Sequence, residues 1–279
     1  MKNSSKVIAL AYTTVSTLLL SSCSTETSYS AVNKPNPIAK QSVVAPEQAD
    51  VSVQSDASGE FFKKGQSLDL YIVMDKSGSL WEYQGSEGSD PNCLRLNALL
   101  NLVDGLRTQL NQKELVRLNV ITFGSRATNV GSISDLLSMS KSELDDRLRS
   151  AVCDKPSSSN RSTIYSNALN LISEQLKTQR ELKKMDVETA IFFSDGAAKD
   201  EDANELRSAI VEFNKSFPKR AYGVLLGETA DTCKIENASG EPLSTIDCIT
   251  EVVGGDPTRV VQSASAQKLS ETMIQLLKK

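Results

Sequence analysis

The chain of 279 residues contains no histidine. That absence excludes Ser-His-Asp and Cys-His catalysis and every histidine-ligated metal site. An excess of one charge is also missing: 31 Lys and Arg stand against 35 Asp and Glu, a net charge of −4. A mildly acidic chain of mixed charge argues against nucleic acid as the main partner, because phosphate recognition needs a basic face. None of the cysteines has CxxC spacing, which argues against zinc and dithiol redox roles. No internal repeat is visible. The apolar stretch at residues 7–20 is too short for a comfortable transmembrane helix.

What is present begins with a targeting signal. Lys2 and Lys6 form a basic start, and the apolar stretch ends in Leu20-Ser21-Ser22-Cys23. This is the layout of a cleaved export signal over residues 1–22, and its end resembles a bacterial lipobox with Cys23 as the lipidated residue. The competing reading is an ordinary signal peptide that happens to contain a cysteine. Several acyl chains would anchor the protein firmly, whereas one chain binds only marginally. Ser24 stands where an Asp commonly retains lipoproteins in the inner membrane; by resemblance to diderm lipoproteins, the expected location is the outer membrane of a bacterial cell envelope. Four cysteines remain: Cys93, Cys153, Cys233 and Cys248. An even number in an exported chain suggests disulfides. Three pairings are possible, and Cys93–Cys153 with Cys233–Cys248 is the favoured one. The second closes a short loop, worth about 3 kcal/mol in the chain-entropy model.

Residues 23–66 are rich in Ser, Thr, Pro, Gln, Ala and Lys without apolar periodicity, the composition of a disordered tether. As a flexible coil its ends would lie roughly 35–40 Å apart. Residues 67–279 have the size of one domain. There, strand-like and helix-like stretches alternate. The run Leu68-Asp69-Leu70-Tyr71-Ile72-Val73-Met74 reads as a strand buried on both faces. Strand patterns follow at 116–123, 128–133, 188–193 and 220–226. Helical stripes fall at 94–110, 140–152, 163–183, 200–217 and 265–277. The pattern predicts an α/β fold: a doubly wound, mostly parallel sheet flanked by helices on both faces.

The chemistry sits at the ends of these elements. Asp75, Ser77 and Ser79 follow the first strand on alternate positions, with Gly78 letting the backbone turn. They offer hard oxygens at the carboxyl edge of the sheet, where open α/β sheets bind ligands, and hard oxygens suit a Mg²⁺-type ion. Thr163 stands at the start of a long helix, and Asp195-Gly196 directly follows another buried strand. Strand–Asp-x-Ser-x-Ser, then a helix-start Thr, then strand–Asp-Gly resembles the von Willebrand factor A (vWA) domain and its metal-ion-dependent adhesion site (MIDAS), over about residues 67–279.

This resemblance implies that Ser77, Ser79 and Thr163 bind a divalent ion through their hydroxyls, while Asp75 and Asp195 act largely through ordered water. The ion would be Mg²⁺ or Mn²⁺ ahead of Ca²⁺. Its open position would take a carboxylate from a protein partner, making the chain a binding module and not an enzyme. Asn160-Arg161-Ser162 departs from the glycines usual before the Thr. Arg161 would then repel the metal or grip an acidic partner. The stretch from Ser79 to Leu94 is long for the family, and Trp81 and Tyr83 within it are candidate partner contacts; the alternative for Trp81 is packing beneath the loop. Two other functions compete. One is an envelope assembly or scaffold factor with a structural or degenerate metal site. The other is a Mg²⁺-dependent phosphatase, which would want Asp-x-Asp at the first strand where this chain has Ser77.

Overall fold

Eight consecutive residues, Leu68–Asp75, form the central strand β1 of a computed structural model, and every one is buried. The structure describes residues 65–83, 85–110, 115–227, 231–263 and 269. All lie in the compact unit that spans Val53–Lys279. Strand β1 is followed by a single 3₁₀ turn, Gly78–Leu80, and by a small antiparallel hairpin of β2 (Glu82–Tyr83) and β3 (Ser86–Glu87). Helix α1 covers Leu94–Gln109. Strands β4 (Val116–Phe123) and β5 (Ala127–Ile133) come next. Helix α2 is Lys141–Cys153, α3 is Tyr165–Lys183, and strand β6 is Val187–Ser194. Helix α4 (Ala203–Ser216) leads to β7 (Ala221–Leu226). The chain closes with the hairpin β8 (Thr232–Glu236) and β9 (Pro242–Ser244), helix α5 (Thr245–Val252) and strand β10 (Val260–Ser263).

Six strands make the main sheet in the order β10-β7-β6-β1-β4-β5. All neighbours are parallel except β4 and β5. This is the α/β, mostly parallel sheet with helices on both faces that the alternating pattern predicts. Period-two alternation divides β1 between two cores. Leu68, Leu70, Ile72 and Met74 face α1 and α2, whereas Tyr71 and Val73 face α3, α4 and α5. Each fully buried aliphatic side chain contributes about 1.5–3 kcal/mol, so both faces hold β1 in the middle. Its carboxyl end, Asp75, is therefore fixed in space.

Local signals set several boundaries. The Ser140 and Glu143 pair closes a reciprocal capping box, with Glu143 N donating to Ser140 Oγ (3.2 Å) and Ser140 N to Glu143 Oε2 (2.8 Å). The Asp202 side chain caps α4 through the amides of Asn204 and Glu205, placing that helix start slightly later than its apolar stripe suggests. Cys93 is bonded to Cys153 and Cys233 to Cys248, with Cα separations of 5.5 and 6.3 Å.

The segment between Leu226 and the last predicted helix holds structure that the sequence pattern does not announce. Helix α5 is only eight residues long and stops at Gly254 and Gly255, both at positive φ; too short for a clear stripe, it is held by burial of Ile249 and Val252. The predicted helix at 265–277 lies outside the described residues except for Leu269, which is buried against the α1 face. The signal peptide, Cys23 and the tether also lie outside them. Among the described residues, no helix is long and apolar enough to cross a membrane.

At the amino edge of the sheet sits a buried polar cluster. Asp69 accepts hydrogen bonds from Arg117 Nε (2.8 Å), from Arg117 Nη2, from Asn119 Nδ2 (2.6 Å) and from Tyr71 OH (3.0 Å). Removing the carboxylate would strand a guanidinium inside the protein, and broken buried pairs cost about 3–5 kcal/mol. Asp69→Ala should therefore lower unfolding free energy by that amount in urea titrations. A loss below about 1 kcal/mol would show that Arg117 reaches solvent instead.

Candidate metal centre

Three loops meet at the carboxyl edge of β1 and β6. The first leaves the sheet at Asp75. The Lys76 amide still donates to the Phe123 carbonyl of β4 (2.6 Å), and the Ser77 amide donates to Asp75 Oδ1 (2.7 Å). The chain then turns, and the hydroxyls of Ser77 and Ser79 lie 3.0 Å apart. The Gly78 amide donates to the Arg161 carbonyl (2.8 Å), which ties the first loop to the second. A Cβ on Gly78 would stand only 2.7 Å from Arg161 Nε. The glycine therefore serves close approach of the two loops.

The second loop carries Thr163, two residues before α3. In place of flexible glycines, Asn160-Arg161-Ser162 is held by specific bonds. Asn160 Oδ1 accepts from the Arg126 amide (2.8 Å), the Ser162 amide donates to Ser125 Oγ (3.1 Å), and the Ile164 amide donates to the Gly124 carbonyl (3.1 Å). The start of α3 has no side-chain cap of its own. Instead Glu201 accepts from the amides of Tyr165 and Ser166, both at 2.8 Å. A carboxylate at a helix N-terminus satisfies orphan amides and complements the dipole. Glu201 is a supporting residue that the sequence does not reveal, because it reads as part of the α4 stripe.

The third loop leaves β6 at Ser194 and Asp195. Ser194 Oγ donates to Asp75 Oδ2 (2.6 Å), and Ser79 Oγ donates to Asp195 Oδ1 (2.9 Å). Ser89 Oγ donates to Asp195 Oδ2. A Cβ built on Gly196 would lie 3.6 Å from Thr163 Oγ1 and 3.7 Å from Ser79 Oγ. So the structure brings Asp75, Ser77, Ser79, Thr163 and Asp195 together, although they come from three separate loops. Beneath them Phe123, Tyr165 and Phe192 pack ring against ring at 4.8–5.8 Å. The Tyr165 hydroxyl donates to the Gly196 carbonyl, which binds this aromatic floor to the third loop.

The electrostatics are unbalanced. Asp75 and Asp195 are 1% and 7% exposed. Burial raises the Asp75 carboxyl above its usual range, against hydrogen bonds from Ser194 and Ser77 that pull it down. Asp195 is pushed up to about 7, first by burial and then by the charge of Asp75. Arg95 lowers both, but its guanidinium is already paired with Asp90 at 2.7 Å. A divalent cation among the hydroxyls would favour the charged form of both aspartates. The donor set is hard oxygen throughout, and Gly196 leaves the space beside Ser79 and Thr163 open. The residues therefore fit a Mg²⁺-class ion. Among the described residues, no group of three or more His, Cys, Asp or Glu could hold a metal, so hydroxyls are an essential part of any such centre.

The centre opens into a cleft of about 470 Å³, whose walls include Glu82, Ser89, Arg161, Lys199 and Asp200. Arg161 is exposed there. Trp81 is half-buried, packed on the core with Arg95 Cζ 5.2 Å from its ring centroid. It is held under the loop and does not line the cleft. Tyr83 lies on β2, and its side chain falls outside the described residues.

The family model for the von Willebrand factor type A domain matches residues 69–245. The chain belongs to the vWA family. Proteins of this family bind a divalent metal at a MIDAS, and in this vWA domain three loops meet at the carboxyl edge of the sheet. Among solved structures, the pilus adhesin SpaC from Lactobacillus rhamnosus GG matches with a TM-score of 0.53 and 12% identity, covering 77% of this chain and 31% of that one. PTMP1 from the mussel byssus, in a form with a zinc-occupied MIDAS motif, gives 0.50 at 17% identity, covering 76% and 45%. The PilB minor pilin from Streptococcus sanguinis gives 0.50 at 13%, covering 80% and 62%. At these identities the likeness carries the fold alone, and the chain spans less than half the length of the mussel protein. No curated protein matches it in sequence.

The raised Asp195 carboxyl has a pH signature. Its folded pKa lies above its unfolded one, so between about pH 4 and pH 7 the folded chain holds a proton that the unfolded chain releases. The associated stability is complete below that window and is lost as pH rises through it. In EDTA, wild type should therefore lose a few kcal/mol relative to Asp195→Asn between those limits, measured by denaturant unfolding. Parallel profiles for the two proteins would contradict the burial of this pair.

Proposed function

We propose that this vWA domain is a non-enzymatic binding module that engages a protein partner through a divalent ion held by Asp75, Ser77, Ser79, Thr163 and Asp195. The observation that carries this reading is the convergence of two buried carboxylates and three hydroxyls at one open cleft. Ser77, Ser79 and Thr163 hold the ion through hydroxyl oxygens. Asp75 and Asp195 stand behind them, accept from the Ser77 amide and the Ser79 hydroxyl respectively, and balance the charge, largely through water. When bound, Mg²⁺ or Mn²⁺ supplies an electrophilic open position that takes a carboxylate from the partner. Arg161, exposed on the cleft wall, is placed to receive further acidic groups of that partner.

The pilus adhesin and the minor pilin among the structural neighbours support a protein-interaction role in the extracytoplasmic space. The N-terminal sequence supports a signal peptide at residues 1–22 and a lipidated tether at 23–66, with Cys23 anchoring the domain to the outer membrane.

Thermal unfolding tests the metal site. An ion at a hundredfold its dissociation constant adds about 2.7 kcal/mol to a native state. The wild-type protein should gain this in Mg²⁺ or Mn²⁺ over EDTA, and Asp75→Ala should gain nothing while remaining folded. Equal behaviour of the two proteins would refute the reading. Anchoring is tested separately: palmitate labelling in cells should mark wild type and vanish in Cys23→Ser, and persistent labelling of that variant would disprove Cys23 as the lipid site.

A further inference from the structure

The stretch between Ser79 and Leu94 does more than extend the cleft wall. After the β2–β3 hairpin, residues 88–90 run back beside residues 79–81. The Gly88 amide donates to the Trp81 carbonyl (3.0 Å), the Ser89 amide to the Ser79 carbonyl (3.2 Å) and the Asp90 amide to the Leu80 carbonyl (2.9 Å). Gly88 permits this closeness, because a Cβ there would collide with the Ser79 carbonyl oxygen and the Leu80 backbone. The far end is clamped as well. Asp90 accepts from the amides of Leu94 (2.6 Å) and Arg95 (3.1 Å), Arg95 Nη2 donates to the Val152 carbonyl (2.7 Å), and Cys93 is bonded to Cys153. Ser89 is thus pinned on both sides. Its Cβ would sit 3.8 Å from one added to Gly227, at the end of β7, so the insertion reaches over the sheet edge past β6.

At that place the Ser89 hydroxyl meets Asp195. The two carboxylate oxygens of Asp195 are held by two different hydroxyls: Oδ1 by Ser79 and Oδ2 by Ser89. Ser79 belongs to the Asp-x-Ser-x-Ser turn and Ser89 to the insertion. We propose that Ser89 is a positioning residue of the metal centre, delivered by the inserted hairpin to fix the Asp195 carboxylate for a divalent cation. This rests on the metal-site reading above. A carboxylate held at one oxygen only can swing about its side-chain torsion, and the site would have to reorder it whenever the ion enters. Holding both oxygens removes that cost before binding. Ser89 acts through Asp195 and does not itself touch the ion.

The test is a set of Mn²⁺ dissociation constants by calorimetry on the purified full-length protein: wild type, Ser89→Ala and Ser89→Thr, with thermal unfolding in EDTA as the check on folding. Hydrogen bonds to charged groups are worth enough to change affinity about tenfold. Ser89→Ala should bind Mn²⁺ about tenfold more weakly, and Ser89→Thr, which keeps the hydroxyl, should stay close to wild type. Equal affinity in wild type and Ser89→Ala would overturn the role of Ser89 and leave the metal site standing. Weak binding by both variants would overturn it too, by pointing to packing instead of the hydroxyl. Absence of Mn²⁺ binding in wild type would overturn the metal-site reading and this inference with it.

Discussion

Two carboxylates buried side by side at the end of a central strand are the constraint on which this domain depends. Asp75 ends β1 and Asp195 directly follows β6, neighbouring strands whose parallel register places both chain exits at one edge. Neither can ionise cheaply, because burial raises both carboxyls and the charge of Asp75 raises Asp195 further. The surroundings offset part of this with hydroxyl and amide donors from Ser77, Ser79, Ser89 and Ser194. What the donors leave uncompensated is charge, and a divalent cation is the simplest remedy. Function would then follow from an energetic deficit that the fold maintains.

The fold maintains it by anchoring every loop that reaches the site. The aromatic floor of Phe123, Tyr165 and Phe192 sets the level of the third loop, Glu201 fixes the start of α3, and the Gly78–Arg161 contact joins the first loop to the second. The Cys93–Cys153 bond and the buried Asp90–Arg95 pair fasten the stretch between Ser79 and Leu94 to α1 and α2. They are paid in hydrophobic burial elsewhere and hold the polar centre to one arrangement, which lowers the ordering cost of any ligand that enters.

Much of this was legible in the sequence. The Leu68–Asp75 run is apolar on both faces because it lies between two helical layers, and such runs read as central parallel strands. Asp75, Ser77, Ser79, Thr163 and Asp195 stand at element boundaries where their spacing is visible. The supporting groups were not legible. Glu201 caps a helix 36 residues before it in the chain, and Ser89 reaches Asp195 across 106 residues; contacts of that range follow from tertiary packing, which leaves no local pattern. Helix α5 escaped notice because eight residues are too few to show a period. Of the two readings open for Trp81, partner contact and packing beneath the loop, the structure shows the ring half-buried on the core with Arg95 against it.

The most direct measurement is anomalous diffraction from crystals of the protein grown with Mn²⁺. An ion held by the three loops predicts an anomalous peak at about 2 Å, the distance of a small hard cation, from the hydroxyl oxygens of Ser77, Ser79 and Thr163. Manganese found only at other carboxylates, with the space between these hydroxyls filled by water, would contradict it.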